Sequence, residues 1–270
     1  MNNSLFDKIE YDIFIKEKKI AIEYNGLYWH KEGKKDKFYH LKKSQLAQQE
    51  NIRLIQIFED EYIFKKEIVV SRLKSLLGTP DRRIYARKCS VKEINSKEKD
   101  SFLNKNHIQG TDKSKVKLGL FFENELVSVM TFGHPRLALG SKKNNRQIWE
   151  LVRFASTLNT QVVGGAGKLL KYFERNYKPD EIFSYSDKRW SDGGLYKALG
   201  FEYSHTSRPN YWYFDEKEMK RYHRFNFRKD VLNEKLEFFD PKLTEIENMM
   251  INGYSRIWDC GNDKWIKKYE

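Results

Sequence analysis

The sequence has 270 residues, of which 39% are hydrophobic and 15% aromatic, and this composition excludes a disordered chain. The formal net charge of +13 favours a polyanionic partner such as nucleic acid, although a merely solvated basic surface would give the same value. Cys89 and Cys260 are the only two cysteines and form no CxxC or Cys/His cluster, which argues against a zinc site and a disulfide-stapled secreted domain.

The first eighty or so residues predict a β-β-α-β-α order. The predicted strands are residues 11–15, 20–24 and 53–58, and the predicted helices are residues 36–50 and 64–77. The turn signal Asn25-Gly26 closes the second strand. Gly78-Thr79-Pro80-Asp81 breaks the last helix and marks a domain boundary.

The rest of the chain predicts a second domain of mixed strands and helices. The predicted strands are residues 84–94, 117–122, 125–132, 149–154, 181–186 and 211–214, and the predicted helices are residues 96–106, 164–175 and 191–199. We therefore expect an α/β (α+β) chain with domains at 1–78 and 79–230 and an extension at 231–270, for which the sequence indicates no role. No apolar stretch approaches the roughly 18 residues that span a bilayer, and the N-terminus lacks a signal peptide, so we expect an intracellular protein without a membrane partner.

Two carboxylates in the first two predicted strands suggest a metal site. Asp12 lies in the first strand and Glu23 near the end of the second, so an antiparallel pair can bring both side chains to one edge of the sheet. Hard oxygen ligands of this kind suit Mg²⁺ or Mn²⁺, and such an ion lowers the pKa of a bound water. The plainer interpretation is a pair of solvent-facing carboxylates.

The residues around this pair add further candidates for phosphodiester hydrolysis. His30 follows the second strand and could act as a general base, since its ordinary pKa is near 6.5. Lys43 could stabilise negative charge on a phosphate, and His40 lies three residues before it on the same helix. Read singly, His30 fits an aromatic-packed loop, Lys43 a solvated helix face, and the acidic residues 59–61 a favourable helix start.

Several spaced blocks between residues 5 and 77 carry a resemblance. The blocks are residues 12–15, 22–30, 39–43 and 52–61. Together they resemble the very-short-patch-repair (Vsr)-like PD-(D/E)xK nucleases, and among these the EDxHD homing endonucleases of phages and mobile introns. The resemblance implies an αβ nuclease core that hydrolyses double-stranded DNA with a divalent metal, in the cytoplasm of a bacterial or phage-infected cell.

The resemblance assigns roles by position. Asp12 and Glu23 correspond to the metal carboxylates and His30 to the base, with His40 and Asp60 as further catalytic candidates. Asn25 stands where many relatives carry lysine, so charge on the phosphate would be met by Lys43, Arg53 or the ion. The acidic residue that the family carries on a helix before the first strand has no clear counterpart, which would weaken the active site or make it depend on a partner.

A glycine-rich helix start marks the second domain. Gln161-Val-Val-Gly164-Gly165-Ala166-Gly167 leads into an apolar helix, and exposed N–H groups at such a start bind anions, although a tight strand-to-helix turn has the same signature. With Leu195–Phe201, this segment resembles the GNAT acetyltransferases over residues 84–214. The resemblance implies acetyl-CoA at this loop, and Tyr185, Asp187 and Tyr196 are the candidates for proton transfer.

Basic residues interleaved with aromatic ones suggest DNA contacts in the later part of the chain. Basic side chains neutralise phosphates while rings stack on bases, although core aromatics alternating with solvated charges give the same pattern. The candidate DNA-binding residues are Lys188, Arg189, Arg208, Lys220, Arg221, Arg224 and Arg228.

These patterns support three functional hypotheses. The first is a site-specific DNA endonuclease whose GNAT-like domain grips the DNA. The second is an acyl-CoA-dependent transferase that acts on DNA or protein, with a degenerate nuclease domain for docking. The third is a DNA-binding protein without catalysis. Binding of acetyl-CoA to the glycine loop distinguishes the second hypothesis from the other two.

Overall fold

The computed structural model describes residues 10–134 and 146–270. Its helices are α1 Leu27–His30, α2 Tyr39–Gln49, α3 Glu59–Phe64, α4 Lys66–Leu77, α5 Ser96–Asn106, α6 Gly165–Tyr177, α7 Gly194–Ala198, α8 Leu232–Lys235 and α9 Glu245–Ile251. Within the described ranges, no helix is both long enough and apolar enough to cross a membrane.

The strands alternate with these helices along most of the chain. They are β1 Ile13–Ile15, β2 Ile20–Asn25, β3 Arg53–Phe58, β4 Arg82–Tyr85, β5 Ser90–Glu93, β6 Val116–Phe122, β7 Glu125–Gly133, β8 Ile148–Ser156, β9 Thr160–Val163, β10 Glu181–Asp187, β11 Glu202–Thr206, β12 Tyr211–Asp215, β13 Lys220–His223, β14 Tyr254–Trp258 and β15 Asn262–Lys268. The predicted α+β class is confirmed.

The described residues divide into two compact units. The first unit comprises residues 10–64, 187–192 and 206–262, and the second comprises residues 65–134, 146–186, 193–205 and 263–270. This division cuts across the predicted ranges 1–78, 79–230 and 231–270, because the first unit combines the start of the chain with most of its last quarter. The assignment of separate functional domains to the ranges 1–78, 79–230 and 231–270 remains a prediction.

Two small sheets form the first unit. In one, β2 pairs antiparallel with β1 and parallel with β3, and in the other β12 lies between β13 and β14. Leu27 and Phe58 pack against Phe214 and Ile257 to form an apolar cluster that joins the two sheets.

A buried ion network also lies in the first unit. Arg221 Nε donates to Asp60 Oδ1 at 2.8 Å, and Arg189 Nη1 donates to Glu61 Oε1 at 2.9 Å. Arg221 also pairs with Glu61 at 3.0 Å, and both guanidinium groups lie over the ring of Phe58. Burial raises the pKa of Glu61, but the two arginines outweigh it and lower that pKa to about 2.

The second unit contains a mixed seven-stranded sheet in the order β11-β15-β10-β8-β7-β6-β5. The strands β5 to β8 pair antiparallel with one another, whereas β8 and β10 run parallel. Leu169 and Phe173 of α6 belong to the main apolar core, while Leu103 of α5 packs in a separate cluster with Val129. The predicted mixed sheet is confirmed.

The structure corrects some predicted elements of the second unit. The predicted strand 84–94 is divided into β4 and β5 by a short 3-10 turn at Ala86–Lys88. As a result β4 pairs with β9, while β5 pairs with β6. The predicted hairpin of β6 and β7 is confirmed, and Glu123 and Asn124 take positive φ values of 48° and 67°, as a tight two-residue turn requires.

We predict that Arg221→Leu destabilises the protein by about 3–5 kcal/mol, because it leaves the buried carboxylate of Asp60 without its cation. Urea unfolding monitored by tryptophan fluorescence measures the change. Arg228→Leu is the matched control, since Arg228 pairs with Asp230 on the exposed surface and should cost at most about 1 kcal/mol. Equal losses in the two variants would contradict a stabilising role for the network.

Candidate functional sites

The first candidate site begins at one end of the β1–β2 hairpin. The register pairs Ile13 with Ile22, so Asp12, which directly precedes β1, lies opposite Glu23 of β2. Asp12 Oδ2 accepts a hydrogen bond from the backbone N–H of Tyr24 at 2.7 Å. The two carboxylates therefore lie at the same end of the hairpin, with Asp12 exposed and Glu23 buried.

Lys43 reaches this end of the hairpin from α2. Its ammonium group pairs with Glu23 Oε1 at 2.5 Å. Burial raises the pKa of Glu23 and the charge of Asp12 adds to this, while Lys43 opposes it; the net shift is upward. The predicted residues Asp12, Glu23 and Lys43 are thus brought together in the first unit.

Two histidines extend this arrangement into the interior. His30 Nδ1 lies 3.4 Å from His40 Nε2, and His40 Nδ1 lies 2.8 Å from Gln56 Oε1. We call Asp12, Glu23, His30, His40 and Lys43 the carboxylate–histidine cluster.

Gln56 determines which nitrogen atoms carry the protons. Its amide nitrogen donates to His40 O at 2.9 Å and to Ser44 Oγ at 2.8 Å, so its oxygen is the atom that faces His40. His40 must then donate from Nδ1 and accept at Nε2. Consequently His30 donates from Nδ1, and its Nε2 retains a lone pair that can accept a proton or a hydrogen bond.

Both rings are neutral at pH 7. Burial lowers the pKa of His30 to about 4, and the charges of Lys35 and Lys43 act in the same direction. Burial likewise lowers the pKa of His40 to about 3, with a smaller contribution from His30. A neutral His30 is consistent with the acceptor role that the hydrogen-bond chain gives to its Nε2.

Asn25 and Asp60 are held by other contacts. Asn25 is fully buried and its amide group donates to Gln56 Oε1 at 3.3 Å. Asp60 accepts hydrogen bonds from Arg221 in the buried ion network, so its oxygens are already engaged. Across residues 10–134 and 146–270, no group of three or more His, Cys, Asp or Glu side chains is placed to hold a metal ion.

The structure corrects two of the predicted DNA contacts. Arg189 and Arg221 are 4% and 9% exposed, and both are paired with carboxylates in the first unit. Contact with a phosphate would require these buried ion pairs to break, so they have a structural role. Arg208, Lys220 and Arg228 are exposed, Lys188 and Arg224 are half-buried, and these five remain predictions.

The second candidate site lies at the start of α6 in the second unit. Gly164 precedes the helix with a φ of 76°, a conformation that favours glycine. A Cβ at Gly165 would lie 3.0 Å from a methyl group of Val162, so this position also favours a residue without a side chain. The first N–H groups of the helix lack intrahelical partners and can bind an anion.

A cleft of about 930 Å³ opens beside this helix start. Its lining includes Gly164 and Gly167, together with the basic residues Arg87, Lys168, Lys171 and Arg175. We call it the glycine-loop cleft.

The basic side chains of the cleft have different roles. Lys168 donates to the carbonyl groups of Ala86 and Cys89, so it ties the cleft wall to α6. Arg87, Lys171 and Arg175 are exposed and add positive charge to the helix start. The spacing of residues 168, 171 and 175 places them on one helical face. This pattern was present in the sequence, but the prediction of an anion site relied on the glycine motif alone.

The predicted loop residues differ in their positions. Gly164 and Gly167 line the cleft, whereas Gly165 and Ala166 are buried beneath it. The side chain of Gln161 accepts a hydrogen bond from Arg83 Nε at 2.9 Å, so it is directed to the neighbouring strand. The prediction that Gln161 belongs to this site is therefore corrected, because its side chain does not line the cleft.

The parallel strands of the same unit separate near a partly buried tyrosine. The pairing of β8 with β10 ends at Leu151 and Ser184, although both strands continue further. Ser184 Oγ donates to Leu151 O at 2.8 Å, so the hydroxyl of Tyr196, 3.0 Å away, must donate to Ser184 Oγ. Burial raises the pKa of Tyr196, which keeps this hydroxyl protonated.

Comparison with known proteins places the chain in a family. Residues 88–254 match the Mom protein family, and this match covers more than half of the 270 residues. The chain therefore belongs to the Mom protein family. No curated protein matches the chain.

Solved acetyltransferase structures show a slight likeness. A GNAT family acetyltransferase from Elizabethkingia anophelis with acetyl-CoA bound is 12% identical, with coverage of 67% of this chain and 99% of that one and a TM-score of 0.37. The Bacillus subtilis acetyltransferase in complex with CoA is 15% identical, with coverage of 68% and 99% and a TM-score of 0.36. At these TM-scores the likeness has no weight for the fold or the activity of this chain.

The half-buried His30 and the buried His40 predict a pH-dependent stability. The unfolded chain protonates both rings near pH 6.5, whereas the folded protein does so only near pH 4 for His30 and pH 3 for His40. Stability from these rings is therefore complete above pH 6.5 and falls as the pH drops towards 4. Urea unfolding at pH 7.5, 6, 5 and 4.5 should show a shallower loss in His30→Gln/His40→Gln than in the wild type. An identical slope in both proteins would be inconsistent with neutral rings in the folded protein.

Proposed function

We propose that the chain is an acyl-CoA-dependent transferase that modifies DNA. The observation that carries this proposal is the glycine-loop cleft, in which helix N–H groups and basic side chains converge on one opening. The Mom protein family is one of phage DNA-modification proteins, which favours DNA as the acceptor.

The cleft fits the nucleotide part of acetyl-CoA. A pyrophosphate needs N–H donors without a side chain in the way, and the glycines at 164 and 167 leave the backbone accessible. The exposed cations Arg87, Lys171 and Arg175 match the remaining negative charge of the nucleotide. A volume of about 930 Å³ is at the upper end of small-molecule and cofactor sites.

The chain's own residues supply a place and a proton for transfer. Bound acetyl-CoA would provide an activated acyl thioester. The pairing of β8 with β10 ends at Leu151 and Ser184, and the proposal places the acyl group beyond this point. Tyr196 keeps its proton in this region, because burial raises its pKa, and can donate it to the thiolate of the departing CoA, while the acceptor group on DNA loses a proton to water.

We expect CoA and acetyl-CoA to raise the melting temperature of the wild type by mass action. Lys171→Ala/Arg175→Ala should weaken CoA binding about tenfold or more, because it removes two charged phosphate partners. Differential scanning fluorimetry with CoA from micromolar to millimolar concentration measures both effects. Lys97→Ala/Lys105→Ala removes two exposed lysines from α5 of the same unit and is the matched control.

Transfer itself is tested with radiolabelled acetyl-CoA and duplex DNA. Label that stays with the DNA after protease treatment supports the proposal, and Tyr196→Phe should reduce its rate while CoA binding is unchanged. The absence of a thermal shift at millimolar CoA together with the absence of label in DNA would refute the transferase proposal.

A second candidate function is hydrolysis of DNA by the first unit. The observation that favours it is the juxtaposition of Asp12 and Glu23, with Lys43 on one carboxylate. Two carboxylates with water and a phosphate oxygen are a ligand set that suits Mg²⁺. His30, with its lone pair on Nε2, would be the proton acceptor.

We predict that, if this second function operates, nicking of supercoiled plasmid in Mg²⁺ or Mn²⁺ falls by at least about 100-fold in Asp12→Ala. Agarose gel analysis gives the rate. Glu17→Ala, an exposed carboxylate on the turn between β1 and β2, is the control and should leave the rate unchanged. Plasmid that remains intact with the wild type in either metal, or equal nicking by wild type and Asp12→Ala, would remove this candidate.

A further inference from the structure

The loop between α1 and α2, with the first residues of α2, holds lysines that lie against aromatic rings. Lys34 Nζ lies 5.8 Å from the ring centroid of Tyr28, and Lys35 Nζ lies 4.2 Å from that of Tyr39. Lys37 Nζ lies 5.7 Å from the ring centroid of Phe38, and it also lies 4.7 Å from that of Trp258. We call Lys34, Lys35 and Lys37 with these rings the lysine–ring surface; all of its residues belong to the first unit.

An aromatic ring holds a lysine differently from a carboxylate. The ring face attracts the ammonium group through its quadrupole and restricts its movement, but it carries no net charge to cancel that of the lysine. None of the three lysines has a carboxylate within ion-pair distance among the described residues, whereas Lys31, Lys42 and Lys43 do. The surface therefore presents positioned charges that remain uncompensated.

The acidic residues of the same segment are turned to other partners. Glu32 accepts two hydrogen bonds from Arg256, at 2.5 and 2.7 Å. Asp36 accepts from the backbone N–H of Phe38 at 2.7 Å and lies 3.7 Å from Lys42. The segment thus keeps an excess of positive charge in spite of its two carboxylates.

Exposed rings accompany these charges. Tyr28 is 42% exposed and Phe38 is 40% exposed. Cations that neutralise phosphates, interleaved with accessible rings, match the chemistry of a nucleic-acid strand better than that of an acidic protein.

We propose that the lysine–ring surface of the first unit binds the phosphate backbone of DNA. The choice of DNA rests on the proposed function, whereas the position of the surface rests only on the contacts above. DNA binding is thus assigned to residues 34–37, which lie outside the basic and aromatic runs that the sequence indicated.

The test is the salt dependence of binding to a fluorescent duplex, measured by anisotropy with the full chain. In Lys34→Ala/Lys35→Ala/Lys37→Ala the slope of log Kd against log salt should fall by about 2.7, since each lost phosphate contact removes roughly 0.9. The affinity at moderate salt should fall about tenfold or more. Lys16→Ala/Lys18→Ala/Lys217→Ala removes three exposed lysines of the same unit and should leave the slope unchanged and the affinity within twofold of the wild type.

Two further measurements separate this proposal from its alternatives. The lysine variant should retain the wild-type melting temperature and the wild-type shift with CoA, so a loss of DNA binding cannot be attributed to unfolding or to the other unit. Poly-glutamate of equal charge should compete at least tenfold less well than duplex DNA. Equal effects of the two triple variants, or equal competition by poly-glutamate, would overturn the proposal.

Discussion

The buried pairing of Arg189 and Arg221 with Asp60 and Glu61 is the constraint on which the first unit depends. The four residues come from three separate stretches of the chain, so the network can form only when these stretches are assembled. Burial of charges is costly, and it is tolerated here because each guanidinium group has a carboxylate partner and lies over the ring of Phe58. An incorrect assembly would leave a bare charge in the interior. The network therefore favours one arrangement of β3, α3 and β13.

Local patterns predicted local structure well. The helix at α2, the strand β3 and the hairpin of β6 and β7 follow from apolar spacing and turn residues, because these signals act over a few neighbouring positions. The division of the predicted strand 84–94 was not predicted, since it depends on the pairing of β4 with β9, about 78 residues further along the chain. Likewise, the place of β14 in the first unit and of β15 in the second depends on pairing with strands that are distant in the chain. Long-range pairing leaves little trace in a single sequence.

Some residues of the candidate sites could be predicted from the sequence and others could not, again because short-range contacts leave a pattern in the sequence and long-range contacts do not. Asp12 and Glu23 could be placed together because a hairpin fixes its own register. Arg189 and Arg221 had been assigned to DNA because their partners Glu61 and Asp60 lie more than a hundred residues away and could not be foreseen. Gln56 stands out in the sequence as a polar residue inside the apolar strand β3. The structure shows that it is fully buried and that its side chain orients His40, and through it His30. The cleft residues Lys171 and Arg175 required the structure, since many exposed helices carry such spacing.

The strand order of the second unit has a consequence for biosynthesis. β15 lies between β10 and β11 inside the sheet, yet it follows both of them in the chain. A ribosome therefore completes the six other strands that the structure describes in this sheet before the one that fills the gap. Until β15 emerges, β10 and β11 each expose an unpaired edge, and such edges invite pairing with other chains. Until β15 has emerged, the nascent protein thus carries an open slot in this sheet, and protection by a chaperone would matter most during that time.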